Sequence, residues 1–112
     1  MPAAELSIDR QLTSMGSVIH LAGEIDMSTV GAFRHSVETA LADAPSRVVL
    51  DFGGVTFCDS QGLSTLIALS KAAEAANTSL VLSNVGEFLQ RLLDVTGLRP
   101  AFSIEDGAGP DP

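Results

Sequence analysis

The sequence predicts a single α/β domain, with a mixed, mostly parallel sheet, an N-terminal hairpin and helices packed on it. Three observations carry this expectation. The apolar runs Val48-Val49-Leu50 and Leu80-Val81-Leu82 read as strands buried on both faces. They alternate with segments whose apolar residues recur at helical spacing, a pattern that calls for right-handed crossovers between parallel strands. Ahead of them lie two strand-like segments joined by a short turn, which reads as an antiparallel hairpin.

In the first strand, Leu6, Ile8, Arg10 and Leu12 share one face, and Ser14-Met15-Gly16 makes the turn. Val18 to Ala22 forms the second strand, and Gly23-Glu24-Ile25-Asp26 leads out of it. Asp26 or Ser28 caps the first helix, whose apolar face is Val30, Phe33, Val37 and Leu41. That helix ends over Asp43-Ala44-Pro45-Ser46, because proline disfavours helix at the residue before it. Arg47 opens the central strand, which turns at Gly53-Gly54, after which Val55 and Phe57 serve as apolar anchors.

The second helix follows Asp59-Ser60-Gln61-Gly62 and shows Leu63, Leu66, Ile67, Ser70 and Ala73 on one face, with Asn77-Thr78 ending it. After the strand Leu80-Val81-Leu82, Asn84 caps a third helix with Glu87 as the partner of a variant capping box. Its stripe of Val85, Phe88, Leu89, Leu92, Leu93 and Thr96 stops at Gly97, with Pro100 just beyond. Ala101-Phe102-Ser103-Ile104 reads as a last short strand. Residues 6–104 are expected to form the domain, with residues 1–5 and the acidic, Gly- and Pro-rich segment 105–112 disordered.

Composition narrows the function. With 112 residues and 46% hydrophobic content, the chain suits one domain with one core. Its formal net charge is -8, and its six cations, Arg10, Arg34, Arg47, Lys71, Arg91 and Arg99, are dispersed. No basic patch is available for nucleic acid or an anionic membrane, whereas a basic protein partner remains compatible. One cysteine, Cys58, excludes an intramolecular disulfide, and no ligand set for a structural zinc is present. A cytoplasmic location without cofactor is expected. The N-terminal residues lack the regions of a signal peptide, and no apolar run reaches membrane-spanning length.

Enzyme readings each lack a required part. A hydrolase elbow needs Gly-x-Ser-x-Gly, but Cys58 stands at the first glycine, and both histidines, His20 and His35, precede Ser60. A receiver-type phospho-acceptor at Asp51 would need an acidic cluster after the first strand and a lysine on a late strand. Glu24 and Asp26 imitate the cluster weakly, and the single lysine, Lys71, falls on a helix. Gly53-Gly54 lacks the further glycines and the lysine of a nucleotide loop. Cys58 is read as a small, semi-buried side chain. Ser60 remains: a hydroxyl at the start of a helix, where a cap is the ordinary role, contributing about 1 kcal/mol.

The order of motifs takes the reading further. Asp59-Ser60-x-Gly62-Leu63-x-x-Leu66 follows a Val-Val-Leu-Asp-Phe strand, Gly23-Glu24-Ile25-Asp26 lies one crossover earlier, and Leu93-Asp94-Val95-Thr96-Gly97-Leu98 closes the last helix. From Leu6 to Ile104 the chain resembles the STAS domain of bacterial anti-sigma-factor antagonists. The resemblance implies that Ser60 is phosphorylated by an anti-sigma factor, a serine kinase of histidine-kinase-like ATPase fold, and dephosphorylated by a PP2C-type phosphatase. It implies no enzymatic activity for this chain. Asp26, Met27, Ser28, Asp59, Gln61, Gly62 and Leu63 are then expected at the partner-binding rim, because both loops leave parallel strands at their C-terminal ends. Gln61 stands where the family more often has a small residue. The alternative is a constitutive scaffold or ligand-sensing STAS module that is never phosphorylated.

Overall fold

A computed structural model describes residues 5–105. The elements are β1 (Leu6–Thr13), β2 (Gly16–Ile25), α1 (Val30–Ala42), β3 (Arg47–Cys58), α2 (Ser60–Ala75), β4 (Ser79–Ser83), α3 (Glu87–Thr96) and β5 (Ser103–Glu105). A 3-10 turn, Arg99–Ala101, precedes β5. The strands lie in the order β1-β2-β3-β4-β5, antiparallel between β1 and β2 and parallel elsewhere. Every crossover steps to the next strand in the same direction, so right-handed connections place all three helices on one face. A single buried cluster joins them there: Ile19 and Leu21 of β2 and Leu50 and Phe52 of β3 meet Phe33 and Val37 of α1, Leu66 and Leu69 of α2, and Leu89 and Leu93 of α3.

The opposite face is tied by polar contacts. Arg47 on β3 donates to Glu105 on β5 at 2.6 Å, so its side chain crosses β4. Val81, on that same face of β4, is thereby buried. Higher on the sheet, Asp51 Oδ2 lies 2.7 Å from His20 Nδ1, and His20 Nε2 lies 3.1 Å from Gln11 Oε1. Asp51 Oδ1 accepts from the Gly53 backbone N–H at 2.8 Å and from Asn84 at 2.9 Å. One carboxylate thus links β1 and β2 to the loop after β4.

Several expectations change in register. Gly53-Gly54 is not a turn. β3 runs through it, absorbing an extra residue between the His20–Asp51 and Ala22–Gly54 pairs and another before the Glu24–Phe57 pair. Such bulges bend a strand without ending it, and β2 correspondingly continues to Ile25. Asn84 does not cap α3. It has a left-handed φ of 53° and turns its amide to Asp51, while Gly86 holds the N-cap position without a side-chain bond.

Gly97 ends α3 as expected, with Leu98 N–H bonded to the Leu93 carbonyl and Gly97 N–H to that of Asp94. The last strand begins at Ser103, because Arg99–Ala101 forms the 3-10 turn. Glu105, grouped with the tail on composition, is paired in β5, and the carbonyl of Glu5 accepts from Glu24 N–H at 3.4 Å. The remaining terminal segments, 1–4 and 106–112, lie outside the described residues.

Burial opposes ionisation of Asp51, but hydrogen bonds from Asn84, Gly53 N–H and His20, with the His20 charge, prevail and hold its carboxyl below the usual carboxylate range. A depressed folded-state value means stability that is present above the ordinary range and lost as pH falls through the folded value. Asp51→Asn is expected to lower stability at neutral pH by about 1–3 kcal/mol. In urea melts across acidic pH, it should also flatten the loss that the native chain shows on acidification.

Candidate functional site

Three loops leave the C-terminal ends of parallel strands side by side: β2 to α1, β3 to α2 and β4 to α3. The first two are joined directly, since the Asp59 N–H donates to the Ile25 carbonyl at 3.1 Å. Four of the expected residues, Asp26, Met27, Ser28 and Asp59, line one open hollow between them.

Asp26 organises its own loop. Its Oδ1 accepts from the Ser28 N–H at 2.9 Å, the Ser28 hydroxyl at 2.7 Å and the Thr29 N–H at 3.2 Å. The Ser28 hydroxyl is the main reason its carboxyl titrates below the usual range; burial opposes it, and the Ser28 and Thr29 N–H groups and the Thr29 hydroxyl add to the lowering. Neither Asp26 nor Ser28 occupies the N-cap of α1; that position is Thr29, whose side chain makes no capping bond. Thr29 instead accepts from the Asp26 N–H at 2.9 Å and donates to the Glu24 carbonyl at 2.7 Å. The signal for Thr29 in the sequence is its place three residues after Asp26, a loop-closing pattern. Met27 is left 77% exposed at the tip.

The second loop assigns two neighbouring residues to different tasks. Asp59, not Ser60, is the N-cap of α2; its Oδ1 accepts from the Gly62 N–H at 3.0 Å, and its carbonyl accepts from Leu63 N–H. Ser60 is the first residue of the helix, is exposed, and its hydroxyl makes no hydrogen bond among the described residues. Gln61 is exposed beside it. Gly62 and Leu63, expected on the docking surface, are buried instead. A Cβ on Gly62 would lie 2.7 Å from both Cys58 Sγ and Ile25 Cγ2, so the absence of a side chain is what lets α2 start against the ends of β2 and β3. Leu63 points into the same core. Both shape the rim from beneath.

Cys58 lies under this junction, 3% exposed. Burial, with the charge of Asp59 adding to it, pushes its thiol up to about 11, which removes it from thiolate chemistry at neutral pH. Among the described residues, no group of three or more His, Cys, Asp or Glu is placed to hold a metal ion. No helix there is long and apolar enough to cross a membrane.

The third loop brings a feature the sequence concealed. Phe57 and Phe88 are both substantially exposed and stack with their ring centroids 6.1 Å apart. The two extra residues of β3 cancel in parity, so Cys58 keeps the core side of Val48, Leu50 and Phe52 while Phe57 pairs with Glu24 and stays exposed.

Fold and rim together define a class: a small acidic α/β domain that presents a serine hydroxyl on the first turn of a helix, beside a hollow edged by two carboxylates. The chain belongs to the STAS domain family, for the family model described as "Mlab, STAS domain" matches residues 8–100. It is similar to the anti-sigma-B factor antagonist of Bacillus subtilis, 28% identical over 99 residues that cover 88% of this chain and 90% of that one. It is also similar to the anti-sigma-F factor antagonist RsfB of Mycobacterium tuberculosis, 30% identical over 89 residues covering 79% and 71%. Among solved structures, an anti-sigma factor antagonist from Mycobacterium paratuberculosis superposes with a TM-score of 0.79 at 27% identity, over 88% of this chain and 84% of that one. The antagonist SpoIIAA in its unphosphorylated form shares the fold, with a TM-score of 0.76 at 23% identity and coverages of 92% and 90%.

The division of labour at the loop is open to measurement. Asp59→Ala is expected to destabilise the domain by about 1 kcal/mol through loss of the cap, whereas Ser60→Ala should stay within about 0.5 kcal/mol of the native chain. Equal losses in denaturant melts would contradict the assignment of the cap. Gly62→Ala should cost about 1–3 kcal/mol, because Cys58 and Ile25 must move to admit the methyl group; thermal unfolding measures this directly.

Proposed function

We propose that this chain is an anti-sigma-factor antagonist whose hold on its partner is controlled by phosphorylation of Ser60. The observation that carries the reading is the separation of cap from hydroxyl: Asp59 satisfies the first turn of α2, so Ser60 is accessible and dispensable to the fold. The names of the relatives support the same reading.

In this account the unmodified chain binds an anti-sigma factor and releases the sigma factor it held. The anti-sigma factor is a serine kinase of histidine-kinase-like ATPase fold. The Ser60 oxygen attacks the γ-phosphorus of ATP, the new oxygen–phosphorus bond forms as the β–γ bridge breaks, ADP leaves, and the serine proton passes to a base on the kinase. A PP2C-type phosphatase reverses the change by hydrolysis. The chain is thus the substrate in this cycle, not its catalyst, and the cycle runs in the cytoplasm.

The physics of the position suits such a switch. A helix N-terminus accommodates a phosphate, because its free N–H groups and dipole favour negative charge. The fold therefore survives modification. Phosphate adds about -1.5 to -2 units of charge next to Asp59. Within a docked interface that charge must shed its water, at a cost of several kcal/mol, and about 1.4 kcal/mol already changes an affinity tenfold. Asp26, Met27, Ser28, Asp59 and Gln61 form the surrounding contact surface, with Gly62 and Leu63 positioning it from below.

The test uses the purified chain, its cognate anti-sigma factor and ATP, followed by mass spectrometric mapping. Phosphate should appear on Ser60 and be absent from Ser60→Ala. Ser60→Asp should bind the anti-sigma factor at least about tenfold more weakly while its circular dichroism stays native. Full modification of Ser60→Ala would overturn the reading. Tight binding without any modification would favour the constitutive scaffold.

A further inference from the structure

We propose that the anti-sigma factor also grips this chain at the Phe57–Phe88 pair, by setting an apolar side chain from a basic surface into the groove beside it. This rests on the function proposed above and names the chemistry of the partner's surface.

The groove follows from the topology. β4 pairs with β3 only as far as Ser83 opposite Asp51, so β3 continues through Phe52–Cys58 with no strand on that side. The first turn of α3 fills the gap in part. Between them remains a shallow groove with Phe52 and Leu89 at its base and Val55, Phe57 and Phe88 along its walls.

Of the five phenylalanines, Phe33 and Phe52 lie in the core, while Phe57 and Phe88 remain 41% and 55% exposed. A lone exposed apolar side chain is ordinary; two stacked aromatics walling a groove that reaches the core form a ready anchor site. The pair is continuous with the serine rim, since Phe57 stands beside Glu24 in register and precedes Cys58-Asp59-Ser60 in the chain.

Charge selects the occupant. Glu24, Asp26, Asp59 and Glu87 all lie at this end of the sheet. Of the described cations, Arg10 is paired with Asp43, Arg34 with Glu38, Arg47 with Glu105 and Arg99 with Asp94. Lys71 lies past the middle of α2, and Arg91 stands one turn after Phe88 on α3, four residues from Glu87, so the four carboxylates outnumber one cation at this end. The groove is therefore an apolar centre in an acidic border. Nucleic acid and anionic lipid are repelled by it, and a second copy would bring two acidic rims together. A basic protein surface with a projecting apolar side chain is its complement.

The test measures binding of the purified anti-sigma factor to the full chain and three variants. Phe57→Ser and Phe88→Ser should each weaken binding about tenfold or more while circular dichroism stays native. Val95→Ser, an equally apolar exposed site on the last turn of α3, should bind as the native chain does. Binding of the native chain should weaken as salt rises. Hydrogen exchange on the native complex reads the same surface without mutation, with protection expected at Val55–Phe57 and Gly86–Leu89. Native-like binding by both Phe variants, or exchange unchanged in both segments, overturns this inference and leaves the proposed function standing. A native chain that does not bind the anti-sigma factor overturns both.

Discussion

The rim of this domain depends on the close approach of the first turn of α2 to the ends of β2 and β3. Gly62 permits it, for any side chain there would collide with Cys58 and Ile25. The Asp59 N–H bond to the Ile25 carbonyl then ties the two loops, and the Asp59 side chain closes the helix start. From this one junction follow the burial of Cys58 and Leu63, the hollow edged by Asp26 and Asp59, and the outward position of Ser60.

That junction separates two roles that a helix start often combines. A capping serine uses its hydroxyl for the fold, so modifying it would remove a stabilising bond. Here the neighbouring aspartate holds the cap and the serine keeps its hydroxyl free. A covalent charge can then be added or removed at a position where the backbone favours it, with its effect directed at whatever docks on the rim. Asp26 follows the same economy, because one of its oxygens organises the first loop while the carboxylate still borders the hollow.

The sheet face away from the helices holds this rim steady by polar means. Asp51 collects Gly53, Asn84 and His20, and so fixes the central strand to the second strand and to the loop that starts α3. Asn84 adopts its left-handed backbone to do so. The short β4 leaves the far half of β3 with no strand on that side, and the same loop sets the first turn of α3 beside it. The exposed aromatic pair is the product of these two features.

Local pattern alone determined the succession of five strands and three helices, the faces led by Phe33, Val37, Leu66 and Leu93, and the stop at Gly97. Apolar periodicity and terminal glycine are properties of short windows. Ser60 and the Asp26–Ser28 loop were legible for the same reason, as each sits where one pattern gives way to another. Tertiary structure alone decided that Gly62 and Leu63 are buried and that Gly53-Gly54 bulges instead of turning. It also decided that Asn84 serves Asp51, and that Phe57 comes to lie against Phe88. Each of these depends on where a residue distant in sequence comes to lie, or on a strand register that two inserted residues shift. No local window carries that information.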